Sequence, residues 1–247
     1  MMATPKKLLL NWKGVYSGTN HLVAVLCKTD DKYTFFYNLS GLNEAKKEGF
    51  SPFVGLSDVD RLYESNELFP AFERRIPDKG RAQFKRILLE YDIVNSGDTS
   101  WDFLFITGGK LATDSLSFLS PIYYDKSTRL SYVACEVAGW SHTSKFNRLL
   151  KLEDELIPNI DLNNRQDVHA IEILDPQHKG TKVGYIPRPY NSFFYSILSN
   201  NYFTNINIIS TDKDNRPKIF IISRNIPEDM IYQNPLFEYM IQVQDNS

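Results

Sequence analysis

The chain has 247 residues, a formal net charge of −2, 42% hydrophobic and 23% charged residues. That balance excludes a disordered polyelectrolyte, which would carry less apolar content and a larger net charge, and it excludes nucleic-acid binding through bulk positive charge, leaving only a local patch. The length allows one large domain or two ordinary ones.

The N-terminus, "MMATPKKLLLNWKG", has an apolar run too short for a signal-peptide core. No segment approaches the ~18 apolar residues of a membrane helix, so the expectation is a cytoplasmic protein. Cys27 in "LVAVLCK" and Cys135 in "SYVACEV" lie in strand-like runs and read as buried free thiols of a reducing compartment. "KLLLNWKGVYSG" and "HLVAVLCKTDDKYTFFYNL" read as strands, the second broken by a hairpin turn at "KTDDK". "NEAKKEGF" reads as a short helix closed by Gly49. The stretch from Gly55 to Val94 reads as mostly helical, punctuated by Pro70 and Pro77. Its "KGRAQFKRILLEY" segment puts Phe84, Ile87, Leu88 and Tyr91 at helical spacing.

"NSGDTSWD" reads as a loop or a capped helix start, and Gly108-Gly109 as a turn or helix terminator. From about Arg129 the character changes. "RLSYVACEVAGW", "LLKLEDELIPNIDL", "VHAIEIL", "KVGYIPR", "NINIIS" and "KIFIIS" are six strand-like runs, and "RPYNSFFYSILSN" is the helix among them. Regularly spaced short strands suggest a small barrel or sandwich. The fold class expected is α+β: a mixed domain over 1–125, then a small β-barrel domain over 126–247 with one or two helices and a C-terminal tail.

Three pieces of the second half, in order, resemble the HIRAN domain over roughly residues 130–225: "VAGWSHTS", the Asn164, Asp167, Ala170, Ile171 run, and "KVGYIPRPYNSFFYSIL". The resemblance implies an OB-like barrel. It also implies a function, because a HIRAN domain in a eukaryotic fork-remodelling helicase holds the 3′ end of single-stranded DNA. Here Gln166 stands where the family often has Tyr, and Ser141 where an Arg used in end binding would be. Residues 8–120 resemble the non-kinase N-terminal lobe of HipA-type toxins through "LFPAFERRIP" and "ITGGKLATDSL", without kinase residues.

The resulting expectation is a non-catalytic DNA-binding protein that recognises single strands or ends. The DNA-binding candidates are Trp140, His142, Asn164, Arg165, Asp167, Tyr185, Arg188, Tyr190 and Asn191. Asp167 would accept the terminal hydroxyl, Trp140 or Tyr185 would offer a base face, and Arg165 and Arg188 would take phosphates. The competing reading of Asn164 and Asp167 is a turn in which both cap backbone N–H groups. The rival function is an adaptor or antitoxin-like subunit of a toxin or phage-defence system. It would bind a partner kinase, nuclease, helicase or other effector through the first half, with Arg74, Arg75, Arg81 and Lys85 as contacts. No cofactor is expected. Asp167 and His169 share a strand face at i and i+2, but no third ligand accompanies them, so no metal is expected either. "TGGK" at Thr107–Lys110 lacks the spacing of a phosphate loop.

Overall fold

The computed structural model describes residues 5–90, 97–143, 150–152, 154–211 and 216–244. The chain forms two compact units, Met1–Pro121 and Ile122–Ser247.

The first unit is built on a five-stranded antiparallel sheet. Its strands are β1 (Lys7–Lys13), β2 (Asn20–Lys28), β3 (Tyr33–Tyr37), β4 (Tyr63–Ser65) and β5 (Leu116–Leu119), in the order β4-β3-β2-β1-β5. Among the described residues, four helices accompany it: α1 (Leu39–Lys47), α2 (Pro70–Glu73), α3 (Ala82–Glu90) and α4 (Thr99–Thr107). The apolar runs of β1, interrupted by Asn11, and of β2 are explained by burial on both faces: Leu8 to Trp12 and Leu22 to Leu26 are all buried. α1 lies so close to β2 that a Cβ on Gly41 would overlap the Leu22 carbonyl, which is why the helix carries glycine there.

The aromatic excess becomes core. Phe35 lies within 4.9 to 6.1 Å of the rings of Tyr37, Phe53, Tyr63, Phe69 and Phe72. Such edge and tilted pairs add to the area each ring removes from water. Burial pushes the Tyr37 phenol up to about 12, outweighing the hydrogen bond its oxygen accepts from the Phe53 amide. α4 begins at Asp98, whose Oδ1 accepts from the backbone N–H groups of Ser100 and Trp101, both at 3.0 Å. It ends at Gly108 in the left-handed conformation, so the glycine pair does terminate a helix.

The region from Gly55 to Phe69 corrects the sequence reading. It is loop plus the short β4 rather than helix. The Tyr63 hydroxyl binds the backbone N–H and carbonyl of Asp58, and the Asp58 side chain accepts from Asp60 N–H. These local bonds occupy groups that a helix would need. The expected continuation of α3 through Tyr91, and most of the turn at "TDKDNRP", lie outside the described residues.

The second unit contains an eight-stranded sheet. Its strands are β6 (Ile122–Asp125), β7 (Leu130–Glu136), β8 (Glu155–Ile160), β9 (Ile171–Asp175), β10 (Thr181–Tyr185), β11 (Thr204–Thr211), β12 (Pro217–Ser223) and β13 (Ile241–Gln244). The order is β10-β9-β8-β11-β12-β7-β6-β13, antiparallel except for β13 beside β6. Its helices are α5 (Trp140–Thr143), α6 (Tyr190–Ser199), α7 (Asp229–Tyr232) and α8 (Pro235–Met240). Burial alternates along β9 and β12, as a half-buried sheet requires. Phe193, Phe194 and Ile197 of α6 are fully buried, and Phe193 meets Phe237 of α8 edge-on at 5.2 Å. The segment read as a tail is therefore structural: it supplies α7, α8 and β13.

Among the described residues, the sheet is not closed as a barrel by a continuous ladder; it has edges at β10 and β13. One bridge spans part of the opening, with Ala138 and Tyr185 exchanging two backbone hydrogen bonds of 2.9 Å. Gly184 permits it: a Cβ there would overlap the Val137 side chain and the Ala138 carbonyl oxygen.

Candidate nucleic-acid interface

Between β8 and β9 the chain makes a polar loop, Asp161 to Ala170, whose ends meet where Asp161 N–H donates to the Ala170 carbonyl at 3.0 Å. Three of its Asx residues organise the backbone that follows. Asp161 accepts from Asn163 N–H, Asn164 from Gln166 N–H and Asp167 N–H, and Asp167 Oδ1 from His169 N–H, at 3.0 to 3.1 Å. This is the cap geometry that short polar side chains favour in turns.

The loop is then fastened to the β10–α6 junction at three points. The Tyr185 hydroxyl donates to Asp161 Oδ2 at 2.9 Å. Arg188 donates from Nε to Asp167 Oδ2 at 2.6 Å and from a terminal nitrogen to the Gln166 carbonyl at 3.2 Å. The buried Asn191 amide donates to Asp167 Oδ2 at 2.9 Å and to the His169 carbonyl at 3.2 Å. Asn164, Asp167, Tyr185, Arg188 and Asn191, which are far apart in sequence, thus form one hydrogen-bonded group. Side-chain exposure of 20% for Asp167 and 35% for Arg188 leaves an edge of that pair at the surface.

What the anchored loop presents outward is Arg165, Leu162, Val168 and His169, all exposed. Val168 reads as a strand residue in the sequence, but β9 starts only at Ile171, and Val168 is 79% exposed. The His169 ring packs edge-on against Tyr195 of α6 at 5.0 Å. Sequence reading missed that pair because its partners come from different elements. It also missed Lys182, which lies 2.8 Å from Glu172 and donates to the Tyr185 hydroxyl at 2.9 Å. Burial opposes its charge, but the bonds to Glu172 and Tyr185 outweigh that penalty and raise its pKa. The ammonium also sits 4.6 Å from the Tyr185 ring centre, covering one side of that ring.

Three candidates sit elsewhere than expected of contact residues. Trp140 is 5% exposed and Tyr190 is 2% exposed, so both rings pack in the core and offer no stacking face. Burial raises the Tyr190 phenol well above its usual range. His142 is exposed on α5, a short helix where a strand was expected.

In the first unit, Arg74, Arg81 and Lys85 are exposed, but Arg75 is not on their face. It is buried, with one terminal nitrogen 2.8 Å from the Gly109 carbonyl and the other paired with Asp114. It fixes the turn after α4. Cys135 is buried, as its strand context implies, and burial raises its thiol pKa, while Cys27 is partly exposed; both are free thiols.

The family model of the HIRAN domain matches residues 130–221, which span β7 to β12 and contain the anchored loop. Among solved structures, a protein from Lactobacillus plantarum is similar at 18% identity and a TM-score of 0.33, covering 38% of this chain and 96% of that one. The HIRAN domain of human HLTF is similar at 13% identity and a TM-score of 0.36, covering 43% of this chain and 86% of that one. No curated protein matches the chain. The HipA resemblance of the first half, and the toxin and defence roles it implied, find no support in these comparisons. Among the described residues, no helix is long and apolar enough to cross a membrane. The second unit therefore carries a HIRAN domain at residues 130–221.

Proposed function

We propose that the HIRAN unit binds single-stranded DNA at a terminus, without catalysis, through the loop Asp161 to Ala170. The observation that carries this reading is the HIRAN match together with a loop anchored in it, which holds Arg165, Leu162 and Val168 outward beside the Asp167–Arg188 pair. Rigid presentation matters because a preorganised loop loses little freedom on binding.

In this reading Arg165 takes a backbone phosphate, and Arg188, oriented by Asp167, takes the next with the donors it does not spend on the loop. Exposed Leu162 and Val168 supply apolar surface for an unpaired base, and the His169–Tyr195 pair supplies an aromatic one. Asp167 has a double role: it positions Arg188, and its exposed edge accepts the terminal hydroxyl. Residues 131–225 carry 11 Lys and Arg against 10 Asp and Glu, a net of +1. Few phosphates are then neutralised, and the salt dependence of binding is shallow.

Two exposed or half-exposed side chains test this by fluorescence anisotropy on short single strands. Arg165→Ala is expected to weaken binding about tenfold and to reduce the salt slope by about one phosphate contact. Asp167→Ala is expected to erase the preference for a free 3′ hydroxyl more than it weakens total binding. It is also expected to lower stability by about 1–3 kcal/mol, because the buried Asn191 amide loses an acceptor. Unchanged affinity in Arg165→Ala, or equal losses on free and blocked ends in Asp167→Ala, contradicts the assignment.

A further inference from the structure

We propose that the first unit carries a second DNA contact: an exposed basic face on α3 and the turn before it, which grips the phosphate backbone of duplex DNA without reading sequence. The choice of DNA among polyanions rests on the HIRAN reading of the second unit.

The charge of the chain is unevenly placed. Of its 28 Lys and Arg and 30 Asp and Glu, six cations and one acid, Asp78, fall within residues 74–86. That segment carries +5, and the remaining 22 cations and 29 acids leave −7 elsewhere. Bulk charge therefore repels a polyanion, and only a concentrated patch of this kind attracts one. Arg75 is buried and paired with Asp114. The other five, Arg74, Lys79, Arg81, Lys85 and Arg86, are exposed, and none makes an ion pair or side-chain hydrogen bond among the described residues. Asp78 pairs with none of them; its carboxylate accepts from Gly80 N–H at 2.7 Å.

Packing decides which way α3 faces. Phe84 and Leu88, one turn apart, are buried, and Phe84 stacks on Phe103 of α4 at 5.3 Å. Lys85, Arg86 and Leu89 fall away from that side and are exposed. Helix stability does not account for the cations. α3 has no acidic residue in its first turn and no basic residue in its last, the reverse of what the helix dipole favours. Arg81, whose carbonyl accepts from Lys85 N–H at 3.2 Å, also stands four residues from Lys85, a like-charged spacing that weakens a helix. An anion lying along this face relieves both penalties.

The side chains indicate which anion. Three of the five cations are arginines, whose planar donors match phosphate oxygens. Among the described residues from 74 to 90 no aromatic side chain is exposed, so nothing there stacks on an unpaired base. A duplex is favoured over a single strand because it presents more charge per unit length and keeps its bases stacked.

The test is fluorescence anisotropy of the full chain on a blunt duplex 3′-phosphorylated on both strands, across a salt series. That ligand has no free 3′ hydroxyl, so failure of the end-binding reading leaves this test intact. The wild type is expected to bind with log K falling against log salt at a slope of about −3 or steeper, about 0.9 for each phosphate contact. Combined Arg81→Glu, Lys85→Glu and Arg86→Glu change exposed side chains and are expected to leave the circular dichroism spectrum unaltered. They are expected to weaken duplex binding at low salt by about tenfold or more and to flatten the slope by about two to three. Arg81→Lys with Arg86→Lys keeps the charge and is expected to stay within about threefold of the wild type. No duplex binding, a wild-type slope shallower than about −1, or indifference to the three Glu substitutions overturns the proposal. Polyglutamate competing as well as duplex of the same total charge overturns the assignment to nucleic acid in favour of an acidic protein. The preference of short single strands for a free 3′ end is expected to be the same in the Glu variant, so the two contacts stand or fall separately.

Discussion

Gly184→Ala is expected to destabilise the second unit by about 3 kcal/mol, the upper range for overpacking a filled site. Two obstacles meet the new methyl. The Val137 side chain can adjust, but the Ala138 carbonyl is backbone and accepts one of the two hydrogen bonds that join Ala138 to Tyr185. Moving it breaks the bridge that joins the end of β7 to β10. Tyr185 then loses its fixed position and with it the bond to Asp161, one of three fastenings of the polar loop. Stability and DNA binding are therefore expected to fall together, whereas Arg165→Ala lowers binding alone. Urea unfolding followed with anisotropy on the same samples separates the cases. A loss below about 1 kcal/mol shows that the bridge yields without cost.

Asp98→Ala is expected to cost the first unit about 3 kcal/mol. Loss of the cap on α4 accounts for about 1 kcal/mol. The remainder comes from Lys28, 2.9 Å from the carboxylate, and from Tyr33, whose hydroxyl donates to it; both lose their partner in a half-buried setting. The group also makes stability depend on pH. Burial on its own raises the Asp98 pKa, but hydrogen bonds from Tyr33, the Trp101 N–H and Lys28 outweigh it and hold the carboxyl below its usual range. A folded pKa below the unfolded value of about 3.9 means that the stabilisation is complete above that pH and is lost as pH falls through the folded value. Asp98→Asn keeps the cap and removes this dependence. Parallel urea titrations at neutral and acidic pH are expected to show wild type and Asp98→Asn converging in acid. A constant gap at all pH values contradicts the assignment.

These elements also show where sequence could be read. The β2–β3 hairpin, the strands β7 to β12 and α6 follow from alternating or continuous apolar runs punctuated by turn residues, and Asp98 reads as a cap from its place before an apolar run. The Asn164–Asp167 turn was legible because Asx side chains bond to backbone one to three residues away. What was not legible depends on distance. Arg75 looks like one member of an exposed basic run, and its burial is set by Asp114 and the Gly109 carbonyl, 39 and 34 residues away. Trp140 and Tyr190 each suit a stacking surface as well as a core, and only packing decides. The final strand is short, and its partner, β6, lies near the opposite end of the unit in sequence, with Ile241 opposite Ile122. The group around Asp167 is intermediate: each motif is visible, but the bonds from Arg188 and Asn191 that join them cross more than twenty residues.

The central claim is that the loop from Asp161 to Ala170 holds a DNA end. Fluorescence anisotropy with three ligands tests it most directly: a short single strand with a free 3′ hydroxyl, the same strand 3′-phosphorylated, and a blunt duplex, each at two salt concentrations. The account predicts tightest binding to the free 3′ end, a preference that survives the higher salt because it rests on hydrogen bonds rather than on bulk charge. Binding that ignores the end and vanishes with salt, or no binding at all, would contradict it.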